Sequence, residues 1–265
     1  MKRHSLSRLL SLWFGIFVFL LCAACGPPRP YTLVDLTHSF GDETVYWPTN
    51  RSFQRERTDW GTTATGYWYA SADFSASEHG GTHMDAPLHF AQNGISLDQI
   101  PVERLTGPAI VIDMRAQCEA NADYALTVQD VLAWEGRYGE IPRGALVFLW
   151  SGWDRRWPNK DRYLGTETPD DPRTLHFPGL SPEAAELLIA QRNIHGVGID
   201  TASIDPGRSQ DFLTHRLLSA AGVYALENVV ALDRVPSTGA TIWALPMKIA
   251  GGTGGPVRII AVLPD

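Results

Sequence analysis

The sequence predicts a single mixed α/β domain with a largely β core. Its 265 residues suffice for one large domain, and its 44% hydrophobic content, with ten phenylalanines and nine tryptophans, is ample for a core. Capped helical patterns alternate with short apolar runs in the middle of the chain, whereas several strands follow one another without helices near the C-terminus. That succession excludes a sheet wound with helices on both faces throughout its length.

The first predicted elements are strands. Residues 31–38 and the aromatic-rich residues 66–74 alternate in the manner of strands. Residues 109–114 and 145–150 are short apolar runs, as expected of strands that are buried on both faces. Between these two runs, Thr127 and Asp130 form a capping-box pattern that predicts a helix over residues 127–137.

The second half of the chain begins with a polar, proline-rich segment at residues 154–178. It is longer than the ~12–15 residues usual for a structureless loop, and loops of this kind are often functional. A helix is predicted over residues 181–193, with Ser181 at its N-cap and Pro182 at its first position. The remaining predicted elements are a strand at 195–200, a helix at 211–221 ended by Gly222, and strands at 224–230, 241–249 and 257–263.

The N-terminus has the pattern of a signal peptide. Basic residues precede an apolar run at residues 9–24, which is shorter than the ~20 residues of a membrane span and ends in small residues before Cys25. This ending resembles a bacterial lipobox, in which Cys25 is lipidated, although Cys22 stands where leucine is commoner. The alternative is ordinary cleavage nearby, which gives a soluble periplasmic protein.

These patterns divide the chain into a lipoprotein-type signal peptide at 1–24, a lipidation site with a proline-rich tether at 25–30, and one domain at 31–265. We expect an exported protein on the periplasmic side of a bacterial membrane, held there only by the lipid. Loss of the three positive charges at Lys2, Arg3 and Arg8 takes the formal charge from −7 to −10. An acidic protein lacks the basic face that nucleic acid requires, so we expect no nucleic-acid partner.

The densest cluster of candidate ligands lies between His79 and His89. Three histidines and Asp85 fall within eleven residues, and imidazole and carboxylate are the usual ligands of zinc and related ions. His83 and Asp85 would face the same side of an extended segment, since side chains alternate along a strand. Gly80 and its neighbouring glycine would let His79 turn to the same point, while His89 stays free for proton transfer. The alternative is a polar surface loop, which does not account for four ligand-type residues at this spacing.

Two further candidate ligands lie more than a hundred residues downstream. His215 falls in a predicted helix, and Glu227 follows two apolar residues in the next predicted strand. A carboxylate in such a strand must be paired, protonated or bound to a cation, because an isolated buried charge is very costly. His215 alone would be interpreted as a surface histidine, but together with Glu227 it indicates a metal site.

The pattern His79-x3-His83-x-Asp85-x3-His89, with residues 198–205 (GIDTASID) and His215-x11-Glu227, resembles the cyclase-like metal-dependent hydrolases. That family includes bacterial kynurenine formamidase and isatin hydrolase. The resemblance covers nearly the whole chain after the tether.

The resemblance implies a swivelling β/β/α fold in homo-oligomers, dimers or tetramers, with active sites near the subunit interface. It implies a first metal bound by His79, His83 and Asp85, and a second bound by Asp85, His215 and Glu227, with Asp85 bridging. His89 would be the general acid and base, and Trp47 would match the aromatic residue that covers the substrate. The formamidases use zinc and isatin hydrolase uses manganese at one principal site, so Zn²⁺ or Mn²⁺, one or two per chain, is expected.

The predicted activity is hydrolysis of the amide C–N bond of an aryl formamide similar to N-formylkynurenine. A bound divalent ion lowers the pKa of water toward ~7, and His89 would return the proton to the departing nitrogen. The alternatives are hydrolysis of an isatin-like cyclic amide, and a non-catalytic envelope lipoprotein that binds a metal or ligand. The aromatic residues 66–69 (GYWY) would line an aryl pocket or, as we expect, pack in the β core.

Overall fold

A computed structural model describes residues 31–264 of the chain. The predicted signal peptide, Cys25 and the tether lie outside these residues. Eight strands form one sheet in the order β1-β12-β11-β5-β7-β9-β10-β4, and β12 also pairs with β4. This second pairing closes the sheet on itself as a barrel of seven strands. The structure therefore confirms a single mixed α/β domain with a β core.

The barrel combines a parallel half and an antiparallel half. The parallel strands are β5 (Thr106–Asp113), β7 (Leu146–Trp150), β9 (Gly196–Ile199) and β10 (Tyr224–Glu227). The antiparallel strands are β4 (His83–Asp85), β11 (Thr241–Pro246) and β12 (Gly254–Pro264), and β1 (Tyr31–Asp35) adjoins β12. Closure occurs where the first three residues of β12 pair with β4.

Alternation along the parallel strands divides the core into two. Ala109 and Phe148 belong to the core within the barrel, whereas Ile110 and Val147 belong to the core beneath the helices. A Cβ at Gly198 would collide with the ring of Phe148, so glycine in β9 leaves the space that the ring fills. These strands are buried on both faces, as their apolar runs predict.

The helices cover the outer face of the parallel half. They are α1 (Arg115–Ala120), α2 (Val128–Tyr138), α4 (Pro182–Leu187) and α5 (Leu213–Ala220), whereas α3 (Lys160–Leu164) packs in a separate small core with Trp153 and Phe177. The predicted caps are present: Thr127 and Asp130 form the capping box of α2, and the Ser181 hydroxyl accepts from the Ala184 N–H. A π-helical turn, Leu188–Arg192, continues α4. The short strands β6 (Ala125–Leu126) and β8 (Gly179–Leu180) pair in parallel beside them. Among residues 31–264, no helix is long and apolar enough to cross a bilayer.

The structure corrects two expectations. Residues 154–178 are not a structureless loop, because they contain α3 and two 3₁₀ turns around the buried Tyr163 and Phe177. The aromatic residues 66–69 do not pack in the core either. They belong to a hairpin of β2 (Gln54–Thr62) and β3 (Trp68–Ser75), in which Trp68 is 63% exposed.

Candidate metal centre

The side chains that the sequence marks as metal ligands converge on one cavity of about 200 Å³. The strand β4 carries its centre: His83 and Asp85 face the cavity, while Met84 points to the opposite side and is fully buried in the barrel. The pairing of β10 with β4 sets Glu227 directly opposite His83. The extended geometry predicted for His83 and Asp85 is therefore confirmed, and barrel closure brings Glu227 to them.

Asp85 is contacted by three imidazoles. Its Oδ1 lies 2.6 Å from Nδ1 of His79 and 3.2 Å from Nε2 of His83, and its Oδ2 lies 3.1 Å from Nε2 of His215. Glu227 is the second carboxylate, 3.0 Å from His215 Nε2 and 3.5 Å from His83 Nε2. Five ligand-type side chains thus meet at one point, and Asp85 lies between the two groups that the sequence separates.

The ring of His83 is fixed from behind by its own loop. Its Nδ1 lies 3.0 Å from the carbonyl oxygen of Gly81, which also accepts from Asn228 Nδ2 at 2.8 Å. Gly81 has φ of +58°, and a side chain there would meet Phe40. Because a carbonyl only accepts, Nδ1 of His83 donates to Gly81, and Nε2 is the nitrogen that faces the carboxylates.

The other two rings also have outer partners. Nδ1 of His215 lies 2.6 Å from Oδ2 of Asp205, a carboxylate that also accepts from the backbone N–H of His215. Nε2 of His79 lies 2.8 Å from Oγ1 of Thr253, whose own hydroxyl donates to Glu78 at 2.6 Å. Each imidazole therefore has one nitrogen held by an outer group and the other facing the carboxylates, the arrangement usual at metal sites.

The charges of the site are consistent with a bound cation. Burial alone would lower the pKa of His83, but the charges of Asp85 and Glu227 raise it to about 9. Burial likewise opposes the charge of His215, but its bonds to Asp205, Asp85 and Glu227 raise its pKa well above the usual value. Without a cation, protons on these imidazoles balance the carboxylates. A divalent metal would replace them, so the donor set fits such an ion.

His89 differs from the other histidines of the cavity. It closes a 3₁₀ turn after β4, Pro87–His89, and its ring stacks on that of His79 at 3.8 Å. Burial lowers its pKa to about 4, against the opposing charge of Asp85, so the ring is neutral at pH 7. His79, Asp85 and His89 can also be grouped as ligands of an ion, so the geometry allows either role for His89.

Aromatic side chains form the mouth of the cavity. Trp47, which the sequence marks for substrate, lines it and meets Phe212 edge-on at 5.9 Å, and Phe212 lies 5.5 Å from Phe90. Phe212 has φ of +50° and directly precedes α5, a placement that no local sequence pattern indicates. Within the described residues, no lysine or arginine lines the cavity.

The sequence does not assign the outer partners of the histidines. It allows Asp205 to be a partner of a metal ligand or, as we expect from the sequence, a turn cap, and it predicts that Glu78 is solvated. In the structure Asp205 contacts His215, and Glu78 accepts from the threonine that contacts His79. The glycine-rich pattern of residues 251–255 predicts a turn between strands. The structure has a turn at residues 250–251 just before β12, and this segment also supplies Thr253. One local signal could have identified Asp205 as the partner of His215. It ends the segment 198–205 (GIDTASID), only ten residues before His215, so its carboxylate lies near the start of the helix that carries this histidine.

The chain is similar to known proteins over most of its length. The family model "Cyclase" matches residues 34–206. Isatin hydrolase of Roseibium aggregatum is 35% identical over 196 residues, covering 71% of this chain and 72% of that protein. Kynurenine formamidase of Salinibacter ruber is 30% identical over 238 residues, covering 88% and 97%. Among solved structures, isatin hydrolase A from Ralstonia solanacearum superposes with a TM-score of 0.81 at 33% identity, covering 99% of this chain and all of that one.

Proposed function

Because this chain belongs to the Cyclase family of metal-dependent hydrolases, we propose that it hydrolyses the amide C–N bond of a small aryl amide. The observation that carries this proposal is the convergence of His79, His83, Asp85, His215 and Glu227, with His89, on a cavity whose mouth is aromatic. The relatives bear the names of two amide hydrolases, kynurenine formamidase and isatin hydrolase.

The proposed ligands are those of the family resemblance. His79, His83 and Asp85 would hold one ion, and Asp85, His215 and Glu227 a second; Zn²⁺ is the first choice and Mn²⁺ the alternative. A bound divalent ion supplies a Lewis acid that lowers the pKa of water and polarises a carbonyl. Metal analysis of protein purified without chelator tests this: about two ions per chain would support both sites, and none, even after reconstitution, would contradict the mechanism.

His89 would move the proton. Its ring is neutral at pH 7, so it can accept a proton as water adds to the amide carbon. When the C–N bond breaks, the same ring returns that proton to the nitrogen, which leaves as an amine while the carbonyl fragment leaves as a carboxylic acid. Trp47 would pack against the aryl ring at the mouth of the cavity.

Two substrates represent the two candidate activities. N-formylkynurenine tests the aryl formamide activity, and isatin tests the cyclic amide activity. One observation favours the cyclic amide activity. Among the described residues, no lysine or arginine lines the cavity to pair with the carboxylate of N-formylkynurenine, whereas isatin is uncharged. Comparing kcat/KM for the two compounds decides between them. Tight binding without product over long incubation would instead support a non-catalytic binding protein.

The location of the protein is part of the proposal. Residues 1–24 would be removed, Cys25 lipidated, and residues 25–30 would tether residues 31–265 at the periplasmic side of a bacterial membrane. Mass spectrometry of the mature N-terminus tests this arrangement. A diacylated or triacylated Cys25 would support it, and an unmodified N-terminus near residue 25 would leave ordinary export.

A homo-oligomer is supported by the hairpin of β2 and β3. Both strands are largely exposed and carry an unusual density of exposed aromatic side chains: Trp60, Tyr67, Trp68, Tyr69 and Phe74. A second copy of the chain would cover these rings. Light scattering of the wild type and of a variant with Trp60→Ser and Trp68→Ser tests the assignment: a dimer or tetramer that dissociates in the variant supports it, and a wild-type monomer contradicts it.

A further inference from the structure

Two hydroxyls in the wall of the metal cavity have no hydrogen-bond partner within residues 31–264, and one of them belongs to Ser203. Ser203 is only 4% exposed, and its Oγ contacts no donor or acceptor within residues 31–264. A buried unpaired hydroxyl is unfavourable, so native proteins rarely keep one without a functional reason. Four buried side-chain atoms of the described chain are unpaired in this way, and two of them, in Ser203 and Tyr46, belong to residues that line this cavity.

The backbone of Ser203 is held firmly. Its carbonyl oxygen accepts from Oγ1 of Thr201 at 2.8 Å, and the N–H of Ile204 donates to Glu227 at 2.8 Å. One residue further, Asp205 anchors the ring of His215. Ser203 therefore belongs to the same short segment that positions two of the metal-ligand candidates, His215 and Glu227.

The chemical character of the hydroxyl sets it apart from its neighbours. The carboxylates of Asp85 and Glu227 only accept hydrogen bonds, and the facing imidazole nitrogens of His83 and His215 contact those carboxylates. Ser203 alone among these groups is a neutral donor without an acceptor. Rotation about its Cα–Cβ bond moves the oxygen between staggered positions, so the donor can turn from the wall toward the cavity.

We propose that Ser203 binds the substrate: its hydroxyl donates a hydrogen bond to the carbonyl oxygen of the amide that is hydrolysed. The inference rests on the proposed hydrolase function. Negative charge develops on that oxygen when water adds to the carbon, so the hydrogen bond strengthens toward the transition state. The substrate class is therefore an amide whose carbonyl oxygen enters the cavity on the side of Glu227 and His215.

The test compares Ser203→Ala with Ser151→Ala. Ser151 is a matched control because it is also a buried serine, but its hydroxyl donates to Asp200 at 2.5 Å. For Ser203→Ala we expect kcat/KM to fall about 10²-fold, mostly in kcat, with unchanged metal content. Because the variant loses an unpaired polar group, its Tm should stay equal or rise by about 2–4 °C, whereas Ser151→Ala should lower Tm.

Three outcomes would overturn the proposal: an unchanged kcat in Ser203→Ala, a Tm that falls as far as in Ser151→Ala, or a loss of metal. Ser203→Thr, which retains the hydroxyl, should recover at least a tenth of the lost activity. If the wild type hydrolyses neither isatin nor N-formylkynurenine, the proposed function fails on its own. In that case the role of Ser203 is tested by the binding of thioisatinate, the product analogue bound in a solved isatin hydrolase structure. A Kd at least threefold higher in Ser203→Ala supports the contact, and an equal Kd refutes it.

Discussion

Replacing Asp205 by asparagine tests whether the outer carboxylate sets up the metal site. Asp205 accepts four hydrogen bonds: from Nδ1 of His215 at 2.6 Å, from its backbone N–H at 3.0 Å, from the N–H of Thr214 at 3.1 Å, and from Ser209 Oγ at 3.3 Å. Asparagine keeps the shape, but its NH₂ group must face at least one of these donors. The His215 ring then loses the charged partner that fixes which nitrogen faces Asp85.

The expected losses of stability and of metal affinity follow from the lost hydrogen bond between Asp205 and His215. A hydrogen bond to a charged group contributes about 1.5–3 kcal/mol, and loss of a partner behind a ligating histidine typically weakens metal binding by about 10–100-fold. At about 2–4 °C per kcal/mol, the metal-free protein should lose about 3–12 °C in Tm. Zn²⁺ affinity, measured by competition with a fluorescent chelator, and Tm, measured by circular dichroism, test the two effects separately.

Asp123→Asn is the matched control. Asp123 accepts from Nδ1 of His176 at 2.9 Å, an Asp–His pair of the same kind outside the cavity. This variant should leave the Zn²⁺ affinity unchanged. If Asp205→Asn binds Zn²⁺ as tightly as the wild type, the argument that outer partners orient the ligands is refuted for this site.

The other predictions concern the role of His89, the space beside the ring of His79, and the pH dependence of stability. His89→Ala should retain the metal and lose about 10²–10⁴-fold in kcat; loss of metal would make His89 a ligand instead. Gly254→Ala would place a Cβ 2.5 Å from the ring of His79 and 2.7 Å from the carbonyl oxygen of Met84. It should therefore weaken metal binding at least tenfold in the same titration, whereas Gly136→Ala, with open space around it, should not. Burial raises the pKa of Asp200 to about 6, so the folded state holds a proton that the unfolded state releases near pH 4. The free energy of unfolding should thus lose roughly 3 kcal/mol as pH rises from about 4 to 6, and Asp200→Asn should remove this part of the slope in urea titrations; an unchanged slope would contradict the assignment.

The local sequence pattern was enough to predict the strands and helices whose apolar residues recur with a regular period. Some features depend only on residues that are close in sequence, so the sequence alone predicts them. They are the apolar runs of β5, β7 and β9 and the helix caps at Thr127 and Ser181. The spacing of His83 and Asp85 is equally local, because it needs only an extended backbone.

The errors arise where the outcome depends on distant parts of the chain. The strand pattern of residues 66–74 is real, but whether its aromatic rings are covered depends on what packs against β3, which periodicity does not encode. Residues 154–178 read as a loop because prolines and charges interrupt the apolar pattern, although Tyr163 and Phe177 are buried. Thr253 and Glu78 are 175 residues apart, so their contact behind His79 exists only in the closed barrel.

The closure of the barrel by β12 determines when a metal can be bound. The residues from His79 to His89 are synthesised early, but Glu227 comes much later, and Thr253 and Gly254 come only at the start of the last strand. During synthesis, the histidines of the motif are therefore present long before the residues that contact them in the folded protein. Contacts at separations of 130 and 175 residues also make this a slow topology to complete. Loading of a metal would thus be a late event that needs a finished chain, since an ion captured earlier would meet His79 before Thr253 holds its ring in place.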